Sequence, residues 1–246
     1  MNKLIRLKEN YYKYLDKKSR HVARLLSMKR PITNLLLKYI NELYNSARLD
    51  ASFKNKNFES AYHNPISSDL EFLVARILYH YSIYKKLNWK IYLRRQVGKT
   101  APDIRIDKNG KTIAIVEIKA KAGWIQSFFS VEKFRKDMKR FKEGKTKKHP
   151  NELLKVVKKQ FKKYYQEFNI KPDKIFVLLP TWALVHRKKS TLRVKDYYKE
   201  FAKNSGLPKD NLILLSNNLL LNLSSNSVKQ YLPTDRFERF IGKISK

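Results

Sequence analysis

The sequence predicts an α/β fold, a mixed β-sheet flanked by helices with an N-terminal helical subdomain. Three observations predict it. Apolar residues recur at helical spacing near the N-terminus and again over 68–84 and 151–168. A strand–turn–strand pattern occupies 103–120, with Asn109-Gly110 at its turn. The run Ile175-Phe176-Val177-Leu178-Leu179 is continuously apolar, as in a strand covered on both faces. Helices first, then antiparallel strands, then strand–helix–strand imply a mixed sheet between helices.

Taken in order, residues 4–44 read as helix, with Tyr11, Tyr12, Leu15, Val22, Leu25 and Leu26 on one side. Pro31 breaks the run and 32–44 resumes it. A polar loop covers 48–65, so a helical subdomain is expected over 1–65 and the main domain over 66–246. Ser68-Asp69-Leu70-Glu71 opens the next helix, whose apolar face carries Leu70, Leu73, Val74, Ile77, Leu78 and Tyr81. Residues 89–94 alternate as a strand, and the hairpin at 103–107 and 112–120 follows. A basic, partly helical stretch spans 131–142. The helix at 151–168 turns Leu154, Val157, Phe161, Tyr164 and Tyr165 inward. A strand at 174–179, a helix at 194–204, a short strand at 212–215 and a closing helix at 237–244 complete the chain.

The chain has 246 residues and no cysteine, which excludes disulfide staples, a thiol nucleophile and cysteine-ligated metal. Lys and Arg number 55 against 21 Asp and Glu, a formal net charge of +34. Such a surface repels itself and attracts a polyanion, so nucleic acid is the expected partner. The first 20 residues lack the apolar core of a signal peptide. No apolar tract approaches the ~20 residues needed to cross a bilayer. A cytoplasmic protein without a membrane partner is expected. The five histidines have no metal-ligand spacing, and neither a Walker loop nor GxGxxG occurs.

The second strand of the hairpin is mostly apolar through Val116 and then abruptly charged at Glu117 and Lys119. Charges at the end of a buried strand cost desolvation energy unless they are paired or bind metal. Asp103 lies at the start of the preceding strand. Two carboxylates offer hard oxygen ligands to Mg²⁺, and a nearby ammonium assists a metal-held water or the phosphate it attacks. Glu117 and Lys119 share a face of their strand, and Lys121 follows them if the strand persists.

Asp103 joins that face only in certain registers. A two-residue turn at Asn109-Gly110 pairs Asp103 with Val116 and sends it to the opposite face. A three-residue loop over Lys108-Asn109-Gly110 pairs it with Ile115, on the face of Glu117. The three-residue loop, or a compensating bulge, is therefore expected.

Pro102-Asp103 and Glu117-Ile118-Lys119 together resemble the motif of the PD-(D/E)XK nuclease superfamily. The preceding helix with its acid, Glu71, and the following helix and strand are similar to that family's restriction-endonuclease-like core, over about 67–180. The resemblance implies that Asp103 and Glu117 bind a catalytic Mg²⁺, replaceable by Mn²⁺, with the Ile118 carbonyl as a further ligand. Lys119 is implied to orient the water or stabilise the developing charge. Glu71 reads equally as an additional metal ligand or as the acid of a Ser68-x-x-Glu71 capping box. Gln160-x-x-x-Tyr164 resembles the glutamine–tyrosine motif of RecB-like nucleases, but Tyr164 is taken as core packing.

Lys121, Gln126 and Ser127, just past the catalytic strand, are candidates to hold the DNA backbone, with Trp124 at the backbone or in the core. Lys133, Arg135, Arg187 and Lys188 are further DNA-binding candidates. The function expected is a type II restriction enzyme that cuts double-stranded DNA at a short specific site. A homodimer is expected, with a cognate DNA methyltransferase in a prokaryotic host but not in direct contact. The alternatives are a junction resolvase, a repair or transposon-type nuclease, and a non-catalytic basic nucleic-acid-binding protein.

Overall fold

The computed structural model of the chain describes residues 3–49, 66–119, 139–140, 142–145, 150–181, 194–216 and 233–246. Its elements, in chain order, are α1 (Lys3–Ser27), α2 (Thr33–Leu49), α3 (Ser67–Lys85), β1 (Trp89–Leu93), β2 (Ile104–Lys108), β3 (Lys111–Ile118), α4 (Pro150–Phe168), β4 (Ile175–Thr181), α5 (Val194–Ser205), β5 (Leu212–Ser216) and α6 (Arg236–Ile244). The five strands form one sheet in sequence order. β1, β2 and β3 run antiparallel, and β3, β4 and β5 run parallel.

Two apolar layers follow from strand alternation. On one face Ile104, Ile106, Ala114, Val116, Ile118, Phe176, Leu178, Ile213 and Leu215 pack beneath α1, α2, α3 and α6. On the other, Ile115, Ile175, Val177, Leu179, Leu212 and Leu214 meet Phe161 and Tyr164 of α4 and Tyr198 and Phe201 of α5. Burying a side chain of this size contributes ~1.5–3 kcal/mol. β4 contributes to both layers, which is why its sequence is apolar without alternation.

The N-terminal helices pack on the sheet. Leu15, Val22 and Leu26 of α1 and Leu36, Leu37 and Ile40 of α2 belong to the same buried cluster as the sheet. A left-handed Lys29 (φ 59°) closes α1. The opening of α2 is held from the far end of the chain. Glu238 of α6 accepts hydrogen bonds from the Ile32 and Thr33 amides at 2.9 and 3.1 Å, and from the Thr33 hydroxyl. A carboxylate there satisfies orphan amides and faces the positive end of the helix.

The β2–β3 turn differs from the three-residue loop expected. Lys108 pairs with Lys111, and Asn109 (φ 51°) and Gly110 (φ 75°) are both left-handed. A two-residue turn of this hand matches strand twist, and asparagine and glycine tolerate it best. The expected alternative, a compensating bulge, is what restores the face. Asp107 pairs with Thr112 but Ile106 with Ala114, leaving Ile113 as the extra residue of β3. Beyond Ile104–Val116, Asp103 then stands across from Glu117.

Candidate active site

β3 delivers Glu117 and Lys119 to the face that carries Ile115, and the bulge brings Asp103 beside them. The Lys119 ammonium donates to Glu117 Oε2 at 2.9 Å and to Asp103 Oδ2 at 3.2 Å. The same Asp103 oxygen accepts the Ile118 amide at 2.8 Å, and the Asp103 amide reaches Glu117 Oε1 at 3.4 Å. Backbone therefore fixes the carboxylates as firmly as the lysine does. The Lys119 amide donates to the Leu178 carbonyl at 3.0 Å, so β3 stays tied to β4 where the site opens. The cluster lies outside the carboxyl ends of the parallel strands, where open α/β sheets place their ligands.

α4 supplies a support the sequence reading assigned elsewhere. Tyr164, taken as core packing, donates its hydroxyl to Glu117 Oε1 at 2.6 Å. Gln160, one turn earlier, donates to the Tyr164 hydroxyl at 2.7 Å and to Glu117 Oε2 at 3.4 Å. The ring of Tyr164 is buried in the α4 layer, so apolar periodicity registers only the ring. The Gln160-x-x-x-Tyr164 spacing was the available signal, because residues four apart share a helix face.

Glu71 does not take the capping role. α3 begins at Ser67 after Ile66, without a side-chain cap. Both Glu71 oxygens instead engage Arg94, one by Nε and the other by Nη2 at 2.8 Å. Among the described residues no three of His, Cys, Asp and Glu converge to hold a metal. The convergent acids are Asp103 and Glu117, and Arg94 is a site neighbour that no sequence motif marked. Lys121, Trp124, Gln126, Ser127, Lys133, Arg135, Arg187 and Lys188 lie outside the described residues.

Burial dominates the electrostatics. Glu117 is 1% exposed, and desolvation pushes its carboxyl above the usual range, against the pull of Lys119. Burial also acts to lower Lys119, but the charges of Glu117 and Asp103 outweigh it and leave the ammonium raised. Tyr164 is pushed up by burial and by the Glu117 charge, so its hydroxyl is a donor at neutral pH. Glu71 is raised by burial, with Arg94 opposing and Asp103 adding to it. Among the described residues the two carboxylates thus share one ammonium, and both offer oxygen ligands. No protein-family model, no curated protein and no solved structure matches the chain.

Proposed function

We propose that this chain is a metal-dependent endonuclease of the PD-(D/E)XK type that hydrolyses phosphodiester bonds of double-stranded DNA at a short specific sequence, in the manner of a type II restriction enzyme. The observation that carries the reading is the convergence of Asp103, Glu117 and Lys119 at the end of β3, with both carboxylates within 3.2 Å of one ammonium. The element order supports it. A helix bearing a buried acid, an antiparallel pair holding the motif, then a helix and a parallel strand is the order that the family resemblance implies. The net charge of +34 supports a polyanionic substrate.

The donor set fits Mg²⁺. This ion is commonly held by one or two carboxylates, with substrate phosphate and water completing its shell. Asp103 and Glu117 would hold it, with the Ile118 carbonyl at hand, and Mn²⁺ would substitute. When bound, the ion supplies Lewis acidity and a more acidic water. Tyr164 and Gln160 fix the carboxylate plane of Glu117, as outer hydrogen bonds fix ligands at other metal sites. Lys119 holds the two acids together and places a cation where water or phosphate charge develops. A homodimer reading a two-fold symmetric site, partnered in its host by a methyltransferase that it does not touch, completes the proposal. Among the described residues no helix is long and apolar enough to cross a membrane.

A second reading keeps the chemistry and changes the task. The Tyr164–Glu117 hydrogen bond brings a Gln160–Tyr164 pair into the site, and that pair resembles the RecB-like branch. This favours a repair-type nuclease that processes ends over one that reads a site. Incubation of supercoiled plasmid with Mg²⁺ or EDTA separates the outcomes. Discrete Mg²⁺-dependent fragments support the restriction reading, and a smear supports the second. Binding without cutting overturns both and leaves a basic nucleic-acid-binding protein.

A further inference from the structure

We infer that Arg94, seated on Glu71, forms an anion subsite beside the carboxylates that takes a phosphodiester group of the nucleic-acid backbone. This rests on the nuclease reading for its ligand, and on the geometry of one ion pair for its location.

The pair is asymmetric. The Glu71 side chain is 4% exposed while that of Arg94 is 52% exposed. The acid is thus sunk under the sheet end, and the guanidinium reaches from it into solvent. Glu71 occupies the Nε and Nη2 edge. A guanidinium carries five N–H groups in a rigid plane, so N–H groups beyond those two contacts remain, and among the described residues none has a further partner. A fork gripped along one edge loses little entropy on binding an anion with the rest, and its shape matches phosphate oxygens.

The backbone aims this fork. Arg94 follows β1 directly, and its amide donates to the Asp103 carbonyl at 3.0 Å, which ties it to the residue that opens the site. Its φ of 48° is left-handed, a conformation that non-glycine residues seldom adopt and that clusters at functional sites. The Asp103 charge is felt by both Glu71 and Arg94, so the pair lies within electrostatic reach of the carboxylates. Lys119 is already engaged by both acids. Among the described residues, Arg94 is the neighbouring cation whose remaining donors point away from its acid.

The test is duplex binding in EDTA, followed over a range of salt, for wild type, Arg94→Ala and Arg94→Lys. Each phosphate contact adds ~0.9 to the log–log salt slope. Arg94→Ala should flatten the slope by about one and weaken binding about tenfold at 0.1 M salt, while Arg94→Lys keeps the slope. Removing the arginine strands a buried acid, so the double variant Arg94→Ala/Glu71→Leu is measured as well. It should fold and show the same loss of slope. An unchanged slope in both Ala-bearing variants overturns the subsite and assigns the pair to structure alone. Cleavage is not read here, so wild-type protein that binds DNA without cutting it would count against the nuclease reading and leave the subsite standing.

Discussion

Between α1 and α3, Asp16 receives Arg76 at 2.5 Å, His80 Nε2 at 2.8 Å and Arg20 at 3.3 Å. At the end of β3, the Lys119 ammonium donates to Glu117 at 2.9 Å and to Asp103 at 3.2 Å. Both clusters contain acids and bases at hydrogen-bond distance, but their proportions are inverted. Among the described residues, one carboxylate serves three basic side chains in the first, and two carboxylates share one cation in the second. The pKa directions follow. Burial acts to raise Asp16, yet the bonds from Arg76 and His80 prevail and hold its carboxyl at about 2. Burial raises Glu117, and one shared ammonium does not reverse it. A carboxylate with excess cation is satisfied and needs nothing more. A buried carboxylate with deficient cation is held at a cost, and a divalent ion or its equivalent would relieve that cost.

The largest contrast is in activity. Asp103→Ala and Lys119→Ala should each lower Mg²⁺-dependent plasmid cleavage by about a thousandfold or more while DNA is still retained in a gel shift. Asp16→Asn should cut at the wild-type rate. Normal cutting by either site variant contradicts the roles assigned to those residues.

A smaller effect belongs to the support from α4. Tyr164→Phe keeps the buried ring and removes the hydroxyl that fixes Glu117 Oε1. Activity should fall about 10- to 100-fold, with DNA affinity unchanged and the Mg²⁺ concentration for half-maximal rate raised. Wild-type kinetics would return Tyr164 to a packing role.

Stability should move in opposite directions at the two clusters. The Glu117 carboxyl lies above its ordinary range in the folded state, so its ionised form at neutral pH opposes folding. Glu117→Gln in EDTA should therefore raise the melting temperature by about 2–4 °C, the equivalent of ~1 kcal/mol. Lys119 keeps Asp103 as partner in that variant. Asp16→Ala strands Arg76 and His80 and should lower the melting temperature by a similar amount. Equal signs at the two sites would erase the distinction.

The smallest effect is in acid. A carboxyl whose folded pKa is depressed contributes stability above its unfolded value, near 4, and loses it as pH falls through the folded one. With Asp16 at about 2, and solvent screening discounted, the stability gap between wild type and Asp16→Asn should shrink between about pH 4 and 2, by less than ~1 kcal/mol. A gap constant across that window would mean that Asp16 is not held by its partners.

Most of the fold was legible because it rests on local periodicity. The apolar faces of α3 and α4, the continuous run of β4 and the position, though not the length, of the Asn109-Gly110 turn each carry their signal within a few residues. The bulge at Ile113 was less so, since an apolar residue suits either face and only the pairing partner reveals it. Convergence of Asp103 with Glu117 was legible as a condition on register, not as a register. The sharing of one core by α1, α2 and the sheet depends on tertiary approach, as does the Glu71–Arg94 pair. Arg94 is one basic residue among many in this chain, and its distinction lies in a left-handed backbone and a buried partner 23 positions away. Tyr164 shows why a helix face can mislead, because its ring obeys the apolar pattern while its hydroxyl serves the site.

The claim that the β3 cluster is short of positive charge, and so takes a divalent cation, is tested most directly by titration calorimetry with Mn²⁺ on wild type and Glu117→Gln. Wild type should bind at a saturable site, and the variant, whose fold is checked by melting, should lose that heat. No binding by wild type, or equal binding by both proteins, would contradict the account.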